Sequence, residues 1–463
     1  MRNSTSVNNI LKLGAWLVPV AFAGCVVTPP VDDAGVDASS QVDAAASDVG
    51  RLDASGLDAP GGSDAGGETI EGWLGLLAGG DSAAIDRAMR AQAWAGGWPI
   101  HDGRRWLFVT RQADRPAQLS LVGDLNGWDI ANVAERASDG VHFWSVLEDA
   151  RLVSPARGSK YKWFVAGEYR APLEATQYGF DSNGRFGWVL APGDLAHLEQ
   201  FPDLASTHLS GVRTVRTFVP AGFDAVRART LVLHDGQNVF HPDAFFGGWR
   251  VDATLASRGN VLAVAIDNAP DRMDAYTQVQ DDIGSGAIGG RAMDYLRLVQ
   301  EDVLPFVRAH YGTRARGRSL AMMGSSLGGL VTLFAASIDF EDMACGAAMS
   351  STVGWGSIQR GRPGSSTLIG SWRGAPTPIY LDSGGNDGGG CLDSDADGVN
   401  DDSDDADNYC VNVQLRDVLS GQGYSSANLT YAWQRDAMHN EAEWASRAGA
   451  ALDACTRMGW AAP

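Results

Sequence analysis

Gly324-Ser325-Ser326-Leu327-Gly328, set between the apolar stretch Leu320-Ala321-Met322-Met323 and the apolar run Leu330-Val331-Thr332-Leu333-Phe334-Ala335-Ala336, decides the reading of this chain. A buried strand, a glycine-flanked turn and a helix are the context in which G-x-S-x-G makes its serine a nucleophile. The glycines permit a sharp turn that lifts the serine hydroxyl above a sheet. The following helix then directs its amide end toward developing negative charge. Ser326 is therefore the candidate nucleophile for acyl transfer.

A serine nucleophile needs a base and an acid. In folds built around this turn they follow in the order serine, acid, histidine. Of eight histidines, only His439 comes after Ser326, in Asp436-Ala437-Met438-His439-Asn440-Glu441, which selects it as the base. The stretch Thr377-Pro378-Ile379-Tyr380-Leu381-Asp382 reads as a buried strand and Ser383-Gly384-Gly385-Asn386-Asp387 as the loop leaving it. An acid that orients an imidazole comes from such a loop, so Asp387 is the candidate, with Asp382 as the alternative. Upstream, the strand candidate Thr230-Leu231-Val232-Leu233 runs into His234-Asp235-Gly236-Gln237-Asn238. Its Asp-Gly turn can expose the Gln237 amide, which with the Leu327 amide would form an oxyanion hole. His234 precedes the serine, which argues for a packing role.

The segment His234 to Phe240, then Arg272 with Tyr276, Tyr295 through Tyr311, and Gly324 to Gly329 together resemble the putative esterase family of enterochelin, feruloyl and acetyl-xylan esterases and esterase D-like enzymes. The resemblance covers roughly residues 210 to 460. It implies an α/β-hydrolase fold, serine-dependent hydrolysis of carboxylic esters and no cofactor for the chemistry, with the family serine, acid and histidine falling on Ser326, Asp387 and His439. The substrate stays open among polysaccharide-linked feruloyl or acetyl esters, a siderophore trilactone, and acyl transfer to a sugar or lipid hydroxyl. Arg272 and Arg250 are candidates for receiving an anionic, catechol-rich ligand. A different class of reading is a surface carbohydrate-binding protein with an inactive hydrolase domain.

Outside this region the composition changes twice. Met1-Arg2 and Lys12, an apolar segment to Ala23, and Gly24-Cys25 describe an export signal ending at a lipobox, with Cys25 as the lipidated residue (1–25). Attachment to a membrane through that lipid, facing the periplasm or the cell surface, follows. Residues 26–68 are Asp-, Ala- and Gly-rich and read as a disordered tether. Residues 69–200 carry short helices and then aromatic and β-branched runs such as Arg105 to Thr110, Val141 to Val146 and Tyr161 to Val165, the pattern of a small immunoglobulin-like β-sandwich. Gly123-Asp124-Leu125-Asn126-Gly127-Trp128 resembles the turn of early-set sandwich modules, and Trp128 is a candidate for stacking on a carbohydrate-linked substrate. Residues 201–463 form the expected α/β-hydrolase domain.

An acidic insertion, 388–410, interrupts that domain. Asp393, Asp395 and Asp397 alternate, Gly398 allows a turn, and the Val399 carbonyl with Asp401 and Asp404 completes an oxygen set suited to a structural Ca²⁺. The spacing resembles thrombospondin type 3 repeats. Residues 387–407 hold nine acids and no base, and residues 26–68 hold nine acids against Arg51, so the two pieces carry −17 of the net −20. The remainder is near neutral, which gives no sign of nucleic-acid binding. No motif specifies an oligomer. Four cysteines follow Cys25: Cys345, Cys391, Cys410 and Cys455. They allow three pairings; Cys391 with Cys410 would staple the acidic loop and leave Cys345 for Cys455.

Overall fold

In this computed structural model the described residues are 69–284, 286–359, 364–373, 377–386, 390–400 and 407–463. Cys25, Asp387, Asp401 and Asp404 lie outside them, as do the export signal and tether. Eight strands carry the catalytic half: β1 (His197–Ala205), β2 (Val212–Val219), β3 (Arg229–His234), β4 (Val261–Ile266), β5 (Leu320–Ser325), β6 (Cys345–Met349), β7 (Ile379–Ser383) and β8 (Leu429–Trp433). Their spatial order is β8-β7-β6-β5-β3-β4-β2-β1. β3 to β8 pair in parallel, whereas β2 runs antiparallel to both β1 and β4. This is the α/β-hydrolase sheet, and the expected mixed α/β class holds.

The strands are apolar on both faces because both faces are covered, as a parallel sheet requires. In β4, Leu262, Val264 and Ile266 pack into one core, while Val261, Ala263 and Ala265 pack into the other. β5 divides the same way, with Leu320 and Met322 on the first side and Ala321 and Met323 on the second. The helix Leu327–Ser337 fills the first side and the C-terminal helix Glu441–Arg457 the second. A disulfide between Cys345 and Cys455 fastens β6 to that last helix, with Cα atoms 5.5 Å apart.

Residues 69–196 build two further layers. Arg105–Arg111 and His142–Glu148 pair in one sheet, with Phe108 and Phe143 facing the other. The other sheet contributes Leu119, Leu121, Tyr161, Trp163 and Val165 to the same core. Helices Ile70–Gly79 and Ser82–Ala95, capped by Thr69 and Asp81, cover the outer face through Trp73, Leu77, Ile85 and Met89. Trp144 and Trp163 are both core residues. The second layer is hydrogen-bonded through Gln177–Asp181 to β1, so one sheet runs from β8 into the N-terminal layers. Among the described residues, no helix is long and apolar enough to cross a membrane.

Candidate active site

Ser326 stands between β5 and the helix Leu327–Ser337 at φ 54°, ψ −125°, a conformation non-glycine residues rarely adopt. The turn is held from below. A Cβ on Gly324 would lie 2.4 Å from the Gly328 carbonyl oxygen and 2.8 Å from His234 Cδ2, so only glycine fits there. His234 is thus the platform under the turn, as a packing role predicts. It is 2 % exposed, and its Nδ1 lies 2.8 Å from the Tyr295 hydroxyl. Burial lowers its imidazole to about 4, so it is neutral at ordinary pH.

The rest of His234-Asp235-Gly236-Gln237-Asn238 is equally committed. Asp235 sits at φ 55° and accepts both Arg272 Nε (2.7 Å) and Nη2 (2.8 Å). Burial works to raise its carboxyl, but the Arg272 guanidinium outweighs it and holds the group below the usual range. A Cβ on Gly236 would be 2.8 Å from Asp267 Oδ1, which leaves room for glycine alone. The Gln237 side-chain oxygen accepts the Asn268 amide (3.0 Å), and Asn238 Nδ2 donates to Glu441 (3.1 Å). The loop bearing the Gln237 amide is therefore pinned at four points. Leu327 N, at the first helical position, has no intrahelical acceptor.

On the far side of Ser326 lies the loop after β6. Ser326 N donates to the Met349 carbonyl (3.0 Å) and Thr352 N to the Ser326 carbonyl (3.3 Å). Ser326 Oγ makes a long 3.4 Å contact with Thr352 Oγ1. Ser350 in the same loop is fully buried and gathers side chains that surround His439. Its hydroxyl accepts from Trp444 Nε1 (3.1 Å) and Arg447 Nη2 (2.6 Å) and donates to Asp407 Oδ2 (2.6 Å). Trp444 in turn packs edge-on against the His439 ring at 4.9 Å.

The carboxylate at His439 is that of Asp407, whose Oδ1 lies 2.8 Å from His439 Nδ1. The sequence reading assigned that place to Asp387, which lies outside the described residues. The alternative, Asp382, is also buried but turns to Arg447 Nε (3.2 Å), the Tyr380 hydroxyl (2.9 Å) and Ser350 N (3.2 Å). Burial pushes its carboxyl up to about 6 against the pull of Arg447. Asp407 was missed because the acidic insertion separates it from β7. The disulfide Cys391–Cys410, with Cα atoms 5.4 Å apart, closes that excursion and returns the chain to the site. Asn408 Nδ2 and Asn412 Nδ2 then bond the Ser350 and Ser351 carbonyls at 2.9 and 2.8 Å. The legible signal was Asp407 standing just before the helix Tyr409–Gly421, beside Cys410.

Three expected substrate contacts have partners within the protein. Arg272 is the partner of Asp235, and Trp128 donates from Nε1 to Asp124 (2.9 Å) while meeting Tyr169 edge-on. Arg250 pairs with Asp252 at 3.2 Å. In the insertion, one carboxylate oxygen each of Asp393, Asp395 and Asp397 lie within 4.8 Å of one another. Asp393 accepts the Asp397 and Gly398 amides, and Val399 N donates to Asp397. Asp395 Oδ1 is buried with no hydrogen-bond partner among the described residues, which fits a hard cation as its missing partner.

A strained serine at a strand–helix turn, and an imidazole with a buried carboxylate on its Nδ1, are groups of the kind that nucleophilic acyl transfer uses. The two disulfides point to an oxidising compartment, extracellular or periplasmic. No curated protein matches the chain at a significant level. Among solved structures it is similar to the enterobactin esterase FES from Shigella flexneri, at 14 % identity and a TM-score of 0.40, covering 78 % of this chain and 95 % of that one. The siderophore hydrolase EstA from Aspergillus nidulans gives 17 % and 0.40, covering 56 % and 94 %, and a ferulic acid esterase 16 % and 0.40, covering 57 % and 99 %. Likenesses this remote do not bear on substrate. The family model described as putative esterase, however, matches residues 206–452, more than half of the sequence, and the chain belongs to that family.

Proposed function

We propose that this protein is a serine-dependent carboxylic ester hydrolase that forms an acyl-enzyme on Ser326. The observation that carries the reading is the 2.8 Å contact of His439 Nδ1 with the buried Asp407 carboxylate. A carboxylate there makes Nδ1 the protonated nitrogen and leaves Nε2 as the base. Ser326 Oγ exchanges Thr352 for His439 as partner, loses its proton to Nε2 and attacks the ester carbonyl. The oxyanion is received by the Leu327 and Gln237 amides. His439 returns the proton to the leaving alcohol, and water, activated the same way, releases the acid.

Within this reading the favoured substrate is an uncharged ester such as a feruloyl or acetyl group linked to a polysaccharide. Support comes from the engagement of Arg272 and Arg250 by Asp235 and Asp252, which leaves neither guanidinium unneutralised for a polyanionic siderophore. The two-layer residues 69–200 are read as the early-set module and 201–463 as the hydrolase domain. Cys25 is the proposed lipid attachment, testable by loss of labelled palmitate from Cys25→Ala. Ca²⁺ is proposed as a structural ion held by Asp393, Asp395 and Asp397, with Asp401, Asp404 and the Val399 carbonyl; it would hold the insertion in shape. A chelator is then expected to lower the melting temperature, and an unchanged melt removes the ion.

The test is turnover by the full-length chain and by Ser326→Ala on an aryl acetate, methyl ferulate, acetylated xylan and a catecholate trilactone. Serine-dependent release from the ferulate or xylan is the expected result. Preference for the trilactone would reassign the substrate to a siderophore, and product esters formed on an added sugar acceptor would make the protein an acyltransferase. Sugar binding that survives Ser326→Ala, with no turnover by the parent, would support the inactive carbohydrate-binding reading.

A further inference from the structure

Arg447 stands in the C-terminal helix, three residues after Trp444, and points into the protein beneath the proposed acid. Its side chain is 6 % exposed, while Asp382 and Asp407 are both fully buried. Nε reaches Asp382 Oδ2 at 3.2 Å, and Nη2 reaches Asp407 Oδ2 at 3.2 Å and Ser350 Oγ at 2.6 Å. Asp407 Oδ2 also accepts the Ser350 hydroxyl and the Gly384 amide. Asp407 thus has Oδ2 occupied from three directions and presents Oδ1 to His439.

Two carboxylates buried this close cannot both ionise without a cation between them, because like charges in a dry site come to share a proton. Among the described residues, the cation in contact with both is Arg447. We propose that Arg447 is a positioning residue for catalysis: it holds Asp382 and Asp407 ionised side by side and fixes the Asp407 carboxylate in the rotation that faces His439. The inference rests on the serine-esterase reading above.

Among the described residues, the charged and titratable groups around this assembly include Tyr380 and Asp382 on β7, Tyr431 on β8, Asp407 before the helix Tyr409–Gly421, and His439, Glu441 and Arg447 at or near the C-terminal helix. With the guanidinium removed, a proton enters between Asp382 and Asp407. His439 then loses the negative charge beside Nδ1, its imidazolium is less stabilised, and base strength falls.

The experiment compares Arg447→Gln, Asp382→Asn, the double variant and Ser326→Ala in the full-length chain, on a small neutral aryl ester across pH. For Arg447→Gln the expected result is a loss of about 100-fold in kcat with KM within threefold, and an acid limb of kcat/KM moved to lower pH. Adding Asp382→Asn is expected to restore kcat at least tenfold, since the competing carboxylate is gone. A purely structural arginine predicts instead a lower melting temperature, an unmoved acid limb and no restoration, and that pattern overturns the proposal. If Arg447→Gln does not fold, Arg447→Lys takes its place. One amine cannot serve both carboxylates and Ser350, so a tenfold loss in kcat, restored by Asp382→Asn, supports the proposal, and parental kcat rejects it. Equal activity of parent and Ser326→Ala would remove the serine-esterase reading itself, whereas a serine-dependent parent with an indifferent Arg447→Gln removes only this inference.

Discussion

On the proposed mechanism His439 acts as a base only while its Nδ1 proton faces a carboxylate, so Asp407 carries a large residue-level effect. Asp407→Asn keeps the size of the side chain but presents an amide, which lets the imidazole take the wrong tautomer. The expected loss in kcat is about 10³- to 10⁴-fold with little change in KM, measured on a small aryl ester. Asp387→Asn is expected to change kcat no more than a few-fold, and the reverse pattern would return the acid to Asp387. A second residue-level prediction concerns His234. Burial lowers its folded-state value to about 4 from an unfolded value near 6.5. A histidine depressed in this way contributes stability that is fully present above pH 6.5 and is lost as pH falls toward 4. The loss should approach about 3 kcal/mol at order-of-magnitude precision. Chemical denaturation of the parent and of His234→Gln at pH 7 and pH 4 checks it: the difference between the two proteins should shrink on acidification, and a constant difference would show that His234 is not the titrating group.

At the scale of elements, two connections carry the site, and they differ in how far sequence reveals them. The turn at Ser326 is local: Gly324, Ser326 and Gly328 lie within five residues, and a side chain on Gly324 would meet the Gly328 backbone inside the same turn and His234 below it. Such a motif is legible because its constraints sit next to one another in the chain. His439 is nearly as legible, because chain order leaves one histidine after the serine. Asp407 is not, because its position depends on where a 19-residue disulfide-closed excursion comes back to the sheet. Composition in that excursion advertises cation binding and hides Asp407, a carboxylate that faces inward. Arg272 and Trp128 misled for the opposite reason. Their residue types suit substrates, but their partners Asp235 and Asp124 are supplied by turns whose geometry no periodicity announces. The insertion therefore makes a distinct prediction. Reducing the excursion to an open chain by Cys391→Ser with Cys410→Ser removes about 3 kcal/mol of loop-closure restraint, and Asp407 is three residues from Cys410. Activity should fall further than the melting temperature suggests, with kcat reduced at temperatures where far-ultraviolet circular dichroism is unchanged. Cys345→Ser with Cys455→Ser joins elements 110 residues apart and should do the reverse, lowering the global melt by the equivalent of about 4 to 5 kcal/mol while folded protein keeps its kcat. Equal effects of the two pairs on kcat would mean that the insertion does not hold the acid.

Across the whole molecule, the N-terminal layers and the catalytic sheet are joined through β1, and the boundary that composition suggests at residues 200 and 201 cuts this strand. Leu198 and Glu199 pair with Tyr178 and Gln177 on one side, and His197 to Phe201 pair with β2 on the other. Glu199 bridges the two halves: Oε1 accepts Gln177 Nε2 at 2.8 Å, and Oε2 accepts the Tyr311 hydroxyl at 2.5 Å. Burial would raise its carboxyl, but the His197 imidazole at hydrogen-bond distance, the His310 imidazole at 3.8 Å and the Tyr311 hydroxyl hold it far below the usual range. Beside it, Trp94 from the second N-terminal helix meets Phe201 at a tilt and Phe306 edge-on, and donates to the Pro202 carbonyl at 2.7 Å. A chain of residues 201–463 therefore lacks the first half of β1, leaves Tyr311 and Thr217 without Glu199, and exposes Phe201 and Phe306. Burying one such aromatic is worth about 2 to 3 kcal/mol, and loss of two with a charged hydrogen bond exceeds the stability of many domains. Residues 201–463 are accordingly expected to be insoluble or to lack a cooperative melt, whereas residues 69–463 unfold in a single calorimetric transition. Two separated transitions in the longer chain, or a soluble and active shorter one, would establish that the hydrolase half folds alone and that the shared sheet is only an edge contact between independent units.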